Sequence, residues 1–200
     1  MTRRRLADSH RAESVGIGGA GRYRAATVWT PWHRSRLIET AGLAAVLSDL
    51  SRRPEVHHVV LDLDNTVVPY GSTDEVERRL IDETVSRIAA FDHVETISIV
   101  SNAGSGRTGP SLPVPSHTTV VWSADKPLTR RSRLAAGAGS AHTVVVGDLL
   151  MVDGVLAWSL TASYYHCPIA SRDPYPVHRV LGWIGRVVRP LLFVTGDGNP

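Results

Sequence analysis

Five short runs of apolar residues lie along the chain, and each has the length and composition of a buried strand. They cover 56–61, 94–100, 118–122, 143–146 and 164–169 and are rich in valine, isoleucine and other residues typical of strands. Runs without alternating polar positions are typical of parallel sheets that are covered on both faces. The pattern therefore predicts a central parallel sheet.

Between and around these runs, apolar residues recur at helical spacing. The spacing predicts helices over 35–50, 75–90, 128–137, 149–160 and about 175–192. Alternating strands and helices indicate an α/β fold, a Rossmann-like three-layer sandwich. Two stretches show no such pattern. The Arg- and Gly-rich leader, 1–25, is expected to be disordered, and the Gly- and Pro-rich 103–117 is expected to be irregular.

The length of 200 residues suits one domain with a sizeable core. We expect this domain over 26–193, with a short tail, 194–200. The fractions of 42% hydrophobic and 20% charged residues are ordinary for a globular chain. Cys167 is the only cysteine, which excludes an intramolecular disulfide and favours a reducing compartment. Without a secretory signal or a membrane-spanning run, a cytoplasmic location is expected.

The formal net charge of +3 is unevenly distributed, because both ends of the chain are basic. Arginine-rich ends around an acidic middle suggest contact with an anionic partner. The helix predicted over 175–192 has basic residues beside an apolar face. Such a helix either packs on the sheet or lies on the anionic inner face of the cell membrane. We find no strong signal for nucleic-acid binding.

The run at 56–61 ends in two carboxylates, Asp62 and Asp64. Their i, i+2 spacing points both side chains to one side of an extended strand. One interpretation is a turn rich in Asp and Asn. The other is a reactive site, because two like charges at the end of a buried strand need a cation or a reaction that uses them. The two interpretations are balanced until the rest of the chain is considered.

Other polar side chains follow the neighbouring strands. Ser101 ends the second strand, Asp148 ends the fourth, and Lys126, the only lysine in the chain, follows the third. Ligands of parallel α/β sheets bind beyond the carboxyl ends of the strands, near a topological switch point. We therefore expect these side chains to meet Asp62 and Asp64 there.

Together these groups fit the needs of phosphoryl transfer. Asp62 is the candidate nucleophile, and Asp64 is the candidate acid and base. Ser101 would bind phosphoryl oxygens, and Lys126 would offset negative charge. Asp148 would bind Mg²⁺ with Asp153 in or near its shell.

The segments Asp-Leu-Asp-Asn-Thr, Val-Ser-Asn, Asp-Lys-Pro and Gly-Asp-Leu-Leu-Met-Val-Asp resemble, in order, the four motifs of the haloacid dehalogenase (HAD) phosphatases. The last two are similar to subclass IIIA, the YqeG family, which is similar to the mitochondrial phosphatidylglycerophosphate phosphatases. The resemblance covers about 28–190. It implies a HAD-like Rossmannoid fold, a Mg²⁺ cofactor and hydrolysis of a phosphomonoester through an aspartyl-phosphate.

The resemblance also implies roles for individual residues. Catalysis would involve Asp62, Asp64 and Lys126, and phosphate binding would involve Ser101, Asn102 and Lys126. The metal would be held by Asp62, by the backbone carbonyl of Asp64 and by Asp148. Supporting positions would be Asn65, Thr66 and Asp153. The chain departs from the family in 103–117 and after Asp153, and both departures concern the shape of the substrate site.

The short connections between the predicted strands leave no room for a large cap domain. An open site suits a large or membrane-bound phosphoester, and the resemblance favours phosphatidylglycerophosphate, a lipid of phospholipid biosynthesis. The first alternative is a soluble sugar phosphate, nucleotide or phosphoprotein. An alternative of another class is a non-catalytic protein that binds RNA, the ribosome or a membrane.

Overall fold

A computed structural model of the chain describes residues 33–103, 115–167 and 176–195. Its strands form one parallel sheet of seven strands in the order β4-β3-β2-β5-β6-β1-β7. The strands are β1 Ser35–Glu39, β2 His58–Asp62, β3 Thr96–Val100, β4 Thr118–Val121, β5 Thr143–Gly147, β6 Ser163–His166 and β7 Phe193–Thr195. The predicted α/β fold with a central parallel sheet is confirmed. The predicted leader, most of 103–117 and most of the tail lie outside the described residues.

In the described residues, four α-helices accompany the sheet: α1 Leu43–Leu50, α2 Asp74–Ala89, α3 Val155–Leu160 and α4 Pro176–Leu192. The same ranges contain a 3-10 turn, Arg131–Arg133, and a π-helical turn, Leu150–Gly154. The helix predicted over 75–90 is α2, which Thr73 caps by accepting a hydrogen bond from the Val76 N–H. The helices predicted over 149–160 and about 175–192 are confirmed as well.

Two helix predictions are wrong in part or whole. The first part of 35–50 is the strand β1, because pairing with β6 on one side and β7 on the other outweighs its helical spacing. The helix predicted over 128–137 is absent apart from the 3-10 turn. Leu128 is 82% exposed, and Gly137 and Gly139 both have φ 89°, which an α-helix does not allow. The three-residue strand β7 was not predicted.

The middle of the sheet is buried because its central strands carry apolar residues on both faces. Every residue of β2 and β5 is buried. On one face, Val59 and Leu61 join a cluster that includes Val46, Leu50, Ile81, Val85 and Ile88 of α1 and α2. On the other face, Val60 and Val145 join Leu156 and Leu160 of α3. These two clusters produce a three-layer sandwich.

Helix α4 contacts the π-helical turn through Gly185, its only buried residue. A Cβ at Gly185 would lie 3.2 Å from the Leu150 Cβ, so glycine permits this close approach. Most large apolar side chains of α4 instead face outward. Within the described ranges, no helix has both the length and the apolar character needed to cross a membrane.

Candidate active site

The candidate site lies where the strand order changes direction. From β2 the chain continues through β3 and β4 on one side, and β5 and β6 occupy the other side. Asp62 is the last residue of β2, and Asp148 directly follows β5. Because Leu61 pairs with Val146, the two carboxylates leave neighbouring strands at the same edge. The predicted convergence at a topological switch point is therefore present.

The ammonium group of Lys126 lies between two buried carboxylates. Its Nζ donates hydrogen bonds to Oδ1 of Asp62 and, at 2.8 Å, to Oδ1 of Asp153. The side chains of all three residues are at most 4% exposed. A lysine withdrawn this far from water needs such partners, because an unpaired buried charge is costly. The contact with Asp62 agrees with the predicted role of Lys126, and the contact with Asp153 was not predicted.

Asn102 holds the backbone of Lys126 in place. Its Oδ1 accepts a hydrogen bond from the Lys126 N–H at 2.8 Å, and its Nδ2 donates to the Lys126 carbonyl at 3.3 Å. Both polar atoms of the amide are therefore engaged with the loop that carries the lysine. The predicted contact of Asn102 with phosphate remains a prediction.

Asp64 lies in a tight loop after β2 and contacts Ser101. The Ser101 hydroxyl donates to Oδ2 of Asp64 at 2.7 Å and accepts the N–H of Ala103 at 3.0 Å. Asn65 has φ 61°, a left-handed conformation that Asn tolerates well, and its Oδ1 accepts the N–H of Tyr70 at 3.2 Å. Ser101 thus orients Asp64, and its predicted contact with phosphate remains a prediction.

Thr66 in the same loop supports the candidate nucleophile. Its hydroxyl donates to Oδ2 of Asp62 at 3.2 Å, while Oδ1 of Asp62 accepts from Lys126. Each oxygen of the Asp62 carboxylate is therefore hydrogen-bonded within the protein. These two contacts fix the orientation of the carboxylate at the end of β2.

Asp153 reaches the site through the π-helical turn. Its Oδ2 accepts the N–H of Leu149 at 3.2 Å, and its own N–H donates to the Leu149 carbonyl at 2.8 Å. The carboxyl group lies directly against Gly147, where a Cβ would be 2.4 Å from both Cβ and Cγ of Asp153. Only glycine at this end of β5 leaves room for Asp153.

Three buried carboxylates could hold a metal ion. Asp62, Asp148 and Asp153 each offer an oxygen, and these oxygens lie within 4.8 Å of one another. Oxygen ligands of this kind suit hard divalent cations. The predicted ligand set contained Asp62, the backbone carbonyl of Asp64, and Asp148. The structure adds the carboxylate of Asp153, which was predicted only in or near the shell, and the role of the Asp64 carbonyl remains a prediction. The side chain of Asp64 is not part of this cluster.

The crowding of like charges changes the protonation of the cluster. Burial, together with the charge of Asp153, raises the pKa of Asp62 to about 7, although Lys126 opposes the shift. Burial and the charges of Asp153 and Asp62 raise the pKa of Asp148 to about 9. Burial alone would lower the pKa of Lys126, but Asp153 and Asp62 outweigh it and raise that pKa. The lysine therefore stays charged, and the carboxylates lack a full set of compensating charges.

The cluster opens into a cavity of about 320 Å³. Sequence reasoning did not place α4 there, yet Val177, His178 and Leu181 of its first two turns line the cavity beside Asp64 and Asn102. No spacing in the sequence links this helix to the carboxylates. A larger cavity of about 570 Å³ lies beside β1. Its acids already have partners: Asp49 contacts Arg53 at 2.7 Å, and Glu39 contacts Arg189 at 2.9 Å.

Comparison with known proteins found no match among family models, curated proteins or solved structures. What the site can do follows from its own groups. It combines a cluster of acids suited to a divalent cation, one charged lysine and a separate carboxylate, Asp64, held by a serine hydroxyl. All of these groups except Ser101 line or border one open cavity.

Proposed function

We propose that the chain is a Mg²⁺-dependent phosphomonoester hydrolase of the HAD type, acting through an aspartyl-phosphate. One observation carries the proposal: Lys126 joins Asp62 to Asp153 within a buried acidic cluster at the switch point of the sheet. A purely structural ion pair would need one carboxylate for one ammonium. Three carboxylates around one lysine leave negative charge that a divalent cation would offset.

Mg²⁺ fits the donor set, because it is usually held by a few carboxylates and keeps several waters. All three candidate ligands are carboxylates, and the cluster contains neither His nor Cys, the ligands that zinc prefers. Bound there, the ion would neutralise charge on the phosphoryl oxygens. It would also favour the ionised form of Asp62, whose pKa is raised to about 7 without it.

Asp62 would attack phosphorus through one carboxylate oxygen, and the bond to the leaving oxygen would break. Lys126 and Thr66 hold the two oxygens of Asp62 and so orient the attack. Asp64 would give its proton to the leaving oxygen. A water molecule would then attack phosphorus, pass a proton to Asp64 and release inorganic phosphate, which regenerates Asp62.

The favoured substrate is a lipid phosphomonoester, phosphatidylglycerophosphate. Between Asp64 and β3 the chain forms one loop and α2, which leaves the cavity open to a bulky substrate. Val177, which is 56% exposed, lines this cavity and would offer an apolar rim to a lipid. A soluble sugar phosphate, nucleotide or phosphoprotein would use the same chemistry.

The test is phosphate release from phosphatidylglycerophosphate in mixed micelles and from a soluble aryl phosphate, each with Mg²⁺ and with EDTA. Asp62→Asn should lower turnover by at least about 10³-fold, because the nucleophile is lost. Asp125→Asn is the matched control. The Asp125 side chain is next to Lys126 but 82% exposed, so its loss should leave turnover near that of the wild type.

Mg²⁺-dependent release that favours the lipid supports both reaction and substrate class. Release from the aryl phosphate alone would keep the hydrolase and remove the lipid. Near-normal turnover by Asp62→Asn would contradict the mechanism. No release from either compound, with salt-sensitive binding to RNA or anionic vesicles that survives Asp62→Asn, would favour the non-catalytic alternative.

A further inference from the structure

Helix α4 exposes an apolar face that no other described element covers. Six of the eight exposed large apolar side chains in the described part of the chain lie on this helix. Trp183 and Leu191 are each 66% exposed, whereas the opposite side packs Gly185 against the π-helical turn. The α4 apolar face consists of Val177, Val180, Trp183, Ile184, Val187 and Leu191. Their spacing of three and four residues forms one continuous stripe.

A row of positive charge borders this stripe. Arg179 and Arg186 are seven residues apart, on one flank of the helix, and Trp183 lies between them. Both arginines are exposed, and neither forms an ion pair with any residue that the structure describes. The helix contains no Asp or Glu. Its third arginine, Arg189, is occupied by Glu39 at 2.9 Å.

We infer that the α4 apolar face docks on an anionic membrane surface. An apolar stripe with a tryptophan at its edge and arginines along its flank fits the boundary between acyl chains and anionic headgroups. A second copy of the chain would cover the stripe less well. Its α4 would bring more arginines and no carboxylate to neutralise them.

Docking through this face would place the acidic cavity at the bilayer surface. The helix begins at the cavity, which Val177, His178 and Leu181 line. Val177 belongs both to the cavity lining and to the α4 apolar face. Membrane docking requires no phosphatase chemistry, so it can be measured whether or not the proposed hydrolysis occurs.

The experiment is flotation of the full chain with vesicles of phosphatidylcholine alone and of phosphatidylcholine with phosphatidylserine. The wild type should float with the anionic vesicles only. Arg179→Gln/Arg186→Gln should weaken binding by about 30-fold, from the loss of two arginines at the surface. Arg78→Gln/Arg87→Gln is the matched control: both arginines are exposed on α2, and the change in net charge is the same.

Trp183→Ser/Val187→Ser should weaken binding by at least about tenfold through lost apolar burial, whereas Trp183→Phe should retain it. Thermal unfolding should be unchanged, because these side chains are exposed. Equal binding by the α4 and α2 arginine variants would overturn the inference. The inference would also be overturned if the wild type did not float and light scattering showed a dimer that Trp183→Ser/Val187→Ser converts to a monomer.

Discussion

Asn102 and Lys126 are joined by two hydrogen bonds, at 2.8 and 3.3 Å, between the amide side chain of the first and the backbone of the second. The position of the lysine beside Asp62 therefore depends on a residue in the loop just after β3. This contact separates two roles for Asn102, positioning the lysine and binding the phosphate directly.

Replacing Asn102 tests which role applies. Asn102→Ala should lower kcat by about tenfold, because a displaced ammonium no longer faces Asp62 in the productive geometry. Inhibition by inorganic phosphate should change little. Asn102→Asp keeps an acceptor for the Lys126 N–H and should therefore lower kcat by less than Asn102→Ala does. Steady-state kinetics with phosphate as inhibitor provide the measurement, and a large rise in the phosphate inhibition constant would instead indicate direct binding.

Each carboxylate of the cluster should contribute more to metal binding than the side chain of Asp64 does. Asp148→Asn and Asp153→Asn should each weaken Mg²⁺ affinity by at least about tenfold, because each replaces an anionic carboxylate ligand by a neutral amide. Asp64→Asn should weaken it less, since the Asp64 side chain is held by Ser101, outside the cluster. Calorimetric titration distinguishes these cases. Equal losses for Asp64→Asn and Asp153→Asn would contradict the assigned cluster.

Stabilisation by Mg²⁺ should grow as pH rises. The ordinary pKa of both Asp62 and Asp148 is 3.8, and in the folded protein these pKa values rise to about 7 and about 9. The folded state therefore holds more protons than the unfolded state, so these two groups stabilise the metal-free fold less as pH rises through these values. Mg²⁺ replaces those protons, and its affinity should rise by up to about tenfold per pH unit for each proton displaced.

Thermal unfolding in Mg²⁺ and in EDTA between about pH 5.5 and pH 8.5 checks this dependence. The quantity to compare is the stability in Mg²⁺ minus the stability in EDTA. Burial lowers the pKa of His58, so this residue makes stability rise with pH near its ordinary pKa, and it does so equally in both conditions. Asp148→Asn should flatten the difference. A difference that shrinks with rising pH would contradict proton displacement at the cluster.

Gly147 should tolerate no side chain. Gly147→Ala would place a Cβ 2.4 Å from Asp153, which should cost about 1–3 kcal/mol of unfolding free energy and weaken Mg²⁺ binding. Gly182→Ala is the control. Apart from its chain neighbours and the adjacent backbone of α4, no atom lies within 4 Å of its added Cβ, and alanine in a helix interior is favoured over glycine by about 0.5–1 kcal/mol. Chemical denaturation measures both. Equal stability of the two variants would show that Asp153 can move away.

The strands of the central sheet could be predicted because their sequences carry the information locally. Every residue of β2 and β5 is buried, and the middle of each strand is a short run of apolar residues without alternating polar positions. The meeting of Asp62 and Asp148 followed from the rule that parallel strands share a carboxyl edge. These features required no knowledge of distant contacts.

The remaining features depend on tertiary contacts that the sequence does not display. Residues of β1 have helical spacing with α1, and only their pairing with β6 and β7 makes them a strand. The position of Asp153 depends on a π-helical turn, which has no recognisable sequence pattern. The approach of α4 to the cavity depends on the contact of Gly185 with Leu150, far apart in the chain.

The position of β1 in the sheet also sets an order for assembly. Leu37 pairs with Tyr164 and Ser35 with Phe193, so the first described strand has both its partners near the other end of the chain. During synthesis, β2, β3, β4 and β5 can pair as they emerge, whereas β1 must wait for β6 and β7. The strands that carry Asp62 and Asp148 therefore belong to the part that can form early.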